Sequence, residues 1–314
     1  MKVQILDSRQ LKAEAKRLGF SHVGLAPAER VPDDVVSDYE EWLEAGRQGE
    51  MHYMENHLEL RRDPRLLLDG ARTVVSLAMS YHPGEGPTQK GIAWYAQGRD
   101  YHEVIRQRLQ QLMKIISPLG GTEGARICVD TAPVMEKYWA WRCGLGWIGR
   151  NRQLVIPGEG SAFFLCELLL TREADCYDTP LFDNPMFAGC GNCRRCLEAC
   201  PTGALSESGL DARRCLSYLT IEHRGELPDD VRPLLSECFY GCDRCLRACP
   251  HLAKAKGTPV EEFRPSPSLL EMTPEDWQRL SPEQYRELFR GSAVKRAKYE
   301  GLRRNLGLDA SSSE

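Results

Sequence analysis

The feature that most constrains this chain is where its cysteines fall. There are 13 in 314 residues, with none in the first 127 and nine between positions 190 and 249. Cys190, Cys193, Cys196 and Cys200, followed by Pro201, have the spacing C-x2-C-x2-C-x3-C-P. Cys242, Cys245 and Cys249, followed by Pro250, repeat its C-x2-C-x3-C-P ending. The first spacing is that of bacterial ferredoxins, in which three thiolates wrap one cubane and the fourth reaches a second. Two [4Fe–4S] clusters with crossed ligation follow. Cys190, Cys193, Cys196 and Cys249 hold one, and Cys200, Cys242 and Cys245 give three ligands to the other. A complete second run needs a cysteine at 239, which is Phe239, so the eighth ligand is either Cys238 or Cys215. Tetrahedral zinc is the competing use of four thiolates, and the paired spacing with two Cys-Pro ends disfavours it. Cys128, Cys143 and Cys166 lie on apolar segments without mutual ligand spacing and read as core thiols.

The remaining composition is that of a water-soluble protein, 42% apolar with a formal charge of −4, and the length suits about two domains. No secretory signal and no run of about 18 apolar residues is visible, so we expect a cytoplasmic protein with no membrane span. In a reducing compartment, bunched thiols are metal ligands rather than disulfides.

Periodicity predicts a helix over 8–18, with Leu11, Ala15 and Leu18 on one face, Ser8 as cap and Gly19 as stop. Strands follow at Phe20–Leu25 and Thr73–Met79. Val104, Ile105, Leu109, Leu112, Met113 and Ile116 mark the clearest helix, over 101–117. A strand over 125–129 ends at Asp130, and a helix over 134–143 precedes Gly144, Gly146 and Gly149. Val155-Ile156 and Phe163–Leu170 are further strands. We expect an α+β protein in three parts: an α/β domain over 1–180, a ferredoxin-like domain over 181–258, and a short helical segment over 259–314. Pro274 and Pro282 suit the first turns of helices in that last segment, and Ser311 to Glu314 read as disordered.

Clusters carry electrons and need a reaction site elsewhere. Nothing in the N-terminal half resembles G-x-G-x-x-G or a P-loop. The segment that stands out is Val129-Asp130-Thr131-Ala132-Pro133-Val134, followed by Gly144-Leu-Gly-Trp147-Ile-Gly149-Arg150-Asn151. Asp130 ends a strand, where ligands of open α/β sheets collect; its bland role is to cap the next helix. The glycines are either a simple turn or room for a large flat ligand.

These residues resemble the epoxyqueuosine reductase family. The resemblance is carried by Gly98-Arg-Asp100-Tyr-His102, Asp130-Thr-Ala-Pro-Val, the Gly144 to Asn151 run, both cysteine runs, Cys215-Leu-Ser-Tyr-Leu-Thr-Ile-Glu222 and Arg290-Gly-Ser-Ala-Val-Lys-Arg296. It extends from about Gly19 to Leu306 and implies a function: reduction of epoxyqueuosine to queuosine in tRNA anticodons. It also implies a cobalamin in an N-terminal domain related to reductive dehalogenases, reduced through the two clusters by an unidentified electron donor. Asp130 is implied as proton donor and Cys215 as eighth cluster ligand, leaving Cys238 as an extra thiol. Cobalamin contacts are implied at Tyr95, Asp130, Arg150, Asn151, Leu154, Ser217 and Thr220. Longer members continue into a helical-repeat domain beyond the Arg-Gly-Ser-Ala motif, and this sequence stops soon after that motif. A carboxyl that donates a proton near neutral pH needs a raised pKa, which burial against an apolar corrin face supplies. Asp100-Tyr-His102 lacks the glycine of D-x-H-x-x-G, so the corrin is expected base-off, with no histidine on cobalt.

A tRNA partner calls for positive charge. Arg290, Lys295, Arg296, Lys298, Arg303 and Arg304 supply it, although such runs are commonly only solvated faces. The protein is expected to be a monomer. Two rival classes are a dehalogenase-like enzyme acting on a small molecule and a two-cluster electron carrier.

Overall fold

In the computed structural model, residues 5–117 and 124–308 are described; the expectation for 311–314 lies outside them. The first periodic segment forms α1, Ser8–Arg17. Its cap is Asp7 rather than Ser8, because the Asp7 carboxylate accepts the Gln10 N–H at 2.8 Å. Strand β1, His22–Pro27, follows. A helix not read from the sequence, α2, occupies Asp33–Glu44. Only Val36 of α2 is buried, so the apolar stripe that reveals a core helix is missing there.

Strand β2, Thr73–Ser80, is buried along its whole length. Helix α3, Tyr101–Ile116, buries all six apolar residues of its predicted face. Strand β3, Ala125–Cys128, helix α4, Glu136–Arg142, and strand β4, Phe163–Leu170, complete the frame.

The four strands form one sheet in the order β1-β2-β4-β3. Every pair is antiparallel, with His22 opposite Ala78, Thr73 opposite Leu170, and Cys128 opposite Glu167. The α+β expectation holds, and the sheet direction adds what alternation of helices and strands does not encode. With no parallel crossover, Asp130 lies at the end of an edge strand rather than at a switch point of a parallel sheet. Helices α1 and α3 cover one face, packing Leu11, Ile105 and Leu109 onto Leu25, Leu77 and Met79. Helix α4 covers the other, with Trp139 and Ala140 against Val74, Ala78 and Leu169.

The cysteine region is built of turns and one-turn helices. Arg195–Glu198 and Arg244–Arg247 begin inside the two runs and pack against each other. Between them α5, Leu216–Ile221, starts directly after Cys215. The predicted C-terminal helices form at Pro274–Gln278 and Pro282–Leu288, under capping boxes from Thr273 and Ser281. A last helix, α6, spans Lys298–Asn305.

The three expected segments interlock. Trp277, Tyr285 and Phe289 share a core with Ile92, Ala96 and Tyr240. Cys238–Tyr240 pairs in parallel with Gly91–Ile92, and the Trp94 N–H donates to the Asp243 carboxylate at 2.7 Å.

Candidate metal centre and active site

Cys190, Cys193, Cys196 and Cys249 line one cavity of about 60 Å³, together with Gly149, Arg150, Asn151 and His251. Among the described residues no three His, Cys, Asp or Glu side chains converge on a single-ion site. The Trp147 indole N–H donates to Cys190 Sγ at 3.4 Å. That contact depends on Gly189, where a Cβ would stand 2.4 Å from the indole ring.

The run from Gly144 to Asn151 therefore serves the chain's own packing. A Cβ at Gly146 would lie 2.1 Å from the Val155 carbonyl oxygen, and one at Gly144 would lie 2.7 Å from that of Thr179. The turn reading of these glycines is the one the structure favours, in place of room for a flat ligand.

A second group of sulfurs lies nearby. Burial pushes the Cys245 thiol up, and the neighbouring sulfurs of Cys215, Cys242 and Cys200 push it further. Cys215, also raised chiefly by burial, feels Cys242 and Cys200. Cys238 shares a side-chain hydrogen bond with Cys242. Cys200, Cys215, Cys242 and Cys245 thus lie near one another, and Cys238 packs with Cys215 and Cys242 against the same small core.

Asp130 follows β3 in the left-handed region, at φ 53°. It does not cap α4, whose N-cap is Met135. The bond runs the other way: the Asp130 backbone N–H donates to Glu136 Oε1 at 2.9 Å. Its carboxylate pairs with His102 Nε2 at 3.0 Å, and its side chain is 53% exposed. The burial expected at Asp130 belongs instead to groups behind it. Burial first, and the Asp130 charge second, push the Glu136 carboxyl up to about 7. Deeper still, Glu167 is fully buried on β4. It accepts from Ser76 Oγ at 3.1 Å, and its other oxygen has no partner; burial, then the Glu136 charge, raise it well above the usual carboxylate range.

Burial opposes protonation of His102, but hydrogen bonds to Asp100 and Asp130 outweigh it and push the ring up to about 9. Lys137, lowered mainly by burial, gives its ammonium to the Arg152 carbonyl at 2.8 Å and lies in the field of Cys245.

The other expected contacts are distributed unevenly. Tyr95 sits between the rings of Tyr101 and Tyr240, 6.4 Å from each. Arg150 and Asn151 line the first cysteine cavity. Leu154 is 3% exposed, inside the core under α4. The Ser217 carbonyl accepts from the Thr220 hydroxyl at 3.2 Å. That hydroxyl also donates to Leu216 O and accepts the Gly241 N–H at 2.9 Å, which ties α5 to the Cys242 loop. Arg150 Nε and Arg152 Nε are buried without partners. The rest of the Arg150 guanidinium is engaged by Glu207 at 2.7 Å and by the Gly191 carbonyl at 3.0 Å.

Of the C-terminal charges, Arg290, Lys295, Arg296 and Lys298 are exposed. Arg296 is held by both oxygens of Glu222 at 2.9 Å and lies over the Tyr53 ring. Arg304 is used internally, donating to the carbonyls of Leu219, His223 and Gly225. The patch is therefore smaller than the charge run suggests. Among the described residues no helix is long and apolar enough to cross a membrane.

Sequence reasoning missed Glu136, Lys137 and Glu167, since each gains its role only from what packs around it. His102 was set aside as a metal ligand, although its spacing from Asp100 already signalled a local pair.

Residues 61–131 match the family described as "Epoxyqueuosine reductase QueG, DUF1730", and residues 189–251 match "4Fe-4S double cluster binding domain". An epoxyqueuosine reductase of Cellulophaga algicola is 41% identical over 300 residues, covering 94% of this chain and 95% of that one. The solved epoxyqueuosine reductase of Streptococcus thermophilus superposes with a TM-score of 0.82 at 30% identity, covering 96% of this chain and 80% of that one. A crystal structure of epoxyqueuosine reductase with an epoxyqueuosine-modified tRNA-Tyr stem loop gives a TM-score of 0.82 at 28% identity and the same coverages.

Proposed function

The chain belongs to the epoxyqueuosine reductase family, and from that premise we propose that it reduces epoxyqueuosine to queuosine in tRNA, with Asp130 as proton donor. Two [4Fe–4S] clusters are the electron carriers, one on Cys190, Cys193, Cys196 and Cys249 and the other on Cys200, Cys215, Cys242 and Cys245. A cobalamin would be held by Tyr95, Asp130, Ser217, Thr220 and the 150–154 segment, and would supply the reducing centre. When bound, the clusters pass single electrons and the reduced corrin is a strong nucleophile and reductant. The expected location is the cytoplasm.

What the chain's own residues do is hold and deliver a proton. The observation that carries the reading is one turn of α4. Glu136 anchors the Asp130 backbone, and the adjacent Lys137 lies in the field of Cys245. Opening an epoxide to an alkene leaves an oxygen that must be protonated, and the exposed Asp130 side chain, in its carboxyl form, would give that proton. His102 is already engaged by Asp100 and Asp130, which supports a corrin with no protein histidine on cobalt.

The test is conversion of epoxyqueuosine in tRNA by the reconstituted protein under an excess of a one-electron reductant. We expect turnover in the native protein and a loss of roughly 10²- to 10⁴-fold in Asp130→Asn. Absence of turnover in the native protein, alongside dehalogenation of a small aryl halide, would move the assignment to the dehalogenase-like class.

A further inference from the structure

We infer that His102 is the proton store behind Asp130, an imidazolium clamped between Asp100 and Asp130 that refills the Asp130 carboxyl each time it protonates the departing oxygen. The inference rests on the reaction proposed above and deepens it. His102 acts through Asp130 and is in that sense a positioning residue.

Geometry carries the argument. His102 Nδ1 lies 2.7 Å from Asp100 Oδ1, and Nε2 lies 3.0 Å from Asp130 Oδ2. Each ring nitrogen faces a carboxylate oxygen. A neutral imidazole donates from only one nitrogen, so with Asp100 and Asp130 both ionised the two hydrogen bonds require both ring nitrogens to carry a proton.

The clamp is rigid on every side. Asp100 caps α3, accepting the His102 backbone N–H at 3.0 Å. Its own N–H is fastened to the Gly291 carbonyl at 2.6 Å. The imidazole stacks on Tyr101 at 4.1 Å, and Tyr101 stacks on Phe164 at 4.2 Å. The charged groups facing this cluster are Asp100 from the cap of α3, Asp130 and Glu136 from the loop and helix after β3, and Lys295 from the 293–297 segment beside Asp100. The carboxylates outnumber the ammonium, in keeping with a ring pushed up to about 9.

The balance closes. An epoxide, two electrons and two protons become an alkene and water. The electrons come singly from the external reductant through the clusters. The first proton passes from His102 Nε2–H to the Asp130 carboxylate and from Asp130 to the departing oxygen, leaving a neutral imidazole. With 28% of its side chain exposed, His102 regains that proton from water. The second proton follows the same route.

Two measurements test this. Side-chain NMR of the cofactor-free chain with labelled histidine reads the titration of His102, assigned by loss of its signal in His102→Gln. A midpoint near 9, moving toward the ordinary value of about 6.5 in Asp130→Asn and in Asp100→Asn, is expected. A native midpoint near 6.5 would overturn the clamp.

In the reconstituted enzyme, His102→Gln keeps two hydrogen-bonding atoms but stores no proton. Its turnover should drop about 10²-fold, and the decline of the native rate as pH rises through about 9 should vanish. An unchanged rate with an unchanged pH profile would overturn the store. A native protein that titrates near 9 but never converts epoxyqueuosine would defeat the reaction assigned above while leaving the imidazolium pair standing.

Discussion

At the residue scale, the chemistry of this protein lies in charges whose partners come from distant parts of the chain. Asp130 and His102 are 28 residues apart, and Glu167 reaches its neighbours only through the sheet. A buried carboxyl such as Glu167 is protonated in the folded protein and ionises once unfolded. Its folded pKa is the raised one, so it supports the fold below its unfolded value of about 4.3 and loses that contribution as pH rises. Glu167→Gln keeps the acceptor for Ser76 and removes the ionisation. We expect its thermal midpoint to vary less between about pH 5 and 8 than that of the native protein. His102 has the same sign at higher pH: its support is complete below about 6.5 and is lost as pH rises through about 9. His102→Gln should remove that alkaline loss, read as the thermal midpoint against pH. Asp130 was legible as a singular acid in a singular segment. Its left-handed backbone and its two partners were not, because nothing local to the segment encodes what packs against it.

At the element scale, the cysteine runs were the most legible part of the chain, because ligand spacing within one turn is a local property. Their sulfurs do line one cavity as the crossed pattern expects for Cys190, Cys193, Cys196 and Cys249. The proposed eighth ligand is not local: Cys215 lies outside both runs, and α5 after it is fastened by the Thr220 hydroxyl to the Gly241 N–H beside Cys242. Cys215→Ser should therefore lower the iron bound per chain by about half, whereas Cys238→Ser should leave it unchanged; iron and sulfide analysis reads both. The helices and strands of the sheet domain were likewise legible from period. Helix α2 escaped because it buries one residue, and a mostly solvated helix leaves no stripe to read.

At the scale of the whole molecule, the three segments expected from composition behave as one packed unit. The Arg290 to Arg296 motif is fastened to the others: Gly291 accepts from Asp100, and Arg296 grips Glu222. The basic C-terminus is accordingly divided between surface and scaffold. Lys298→Gln should flatten the dependence of log tRNA affinity on log salt by about one. Arg304→Gln should leave that slope alone and destabilise the fold by about 1–3 kcal/mol, since three carbonyls lose their donor. The sequence by itself determined the cysteine spacing from which the cluster ligands are proposed, the strand and helix segments with a strong apolar period, and the family, because each is written in residues close together along the chain. The tertiary structure alone decided the antiparallel direction of the sheet and the company Cys215 keeps. It also decided which arginines face water and the pairing of His102 with Asp130. Those depend on contacts between segments far apart in the chain, where burial and charge act across space and leave no periodic trace in sequence.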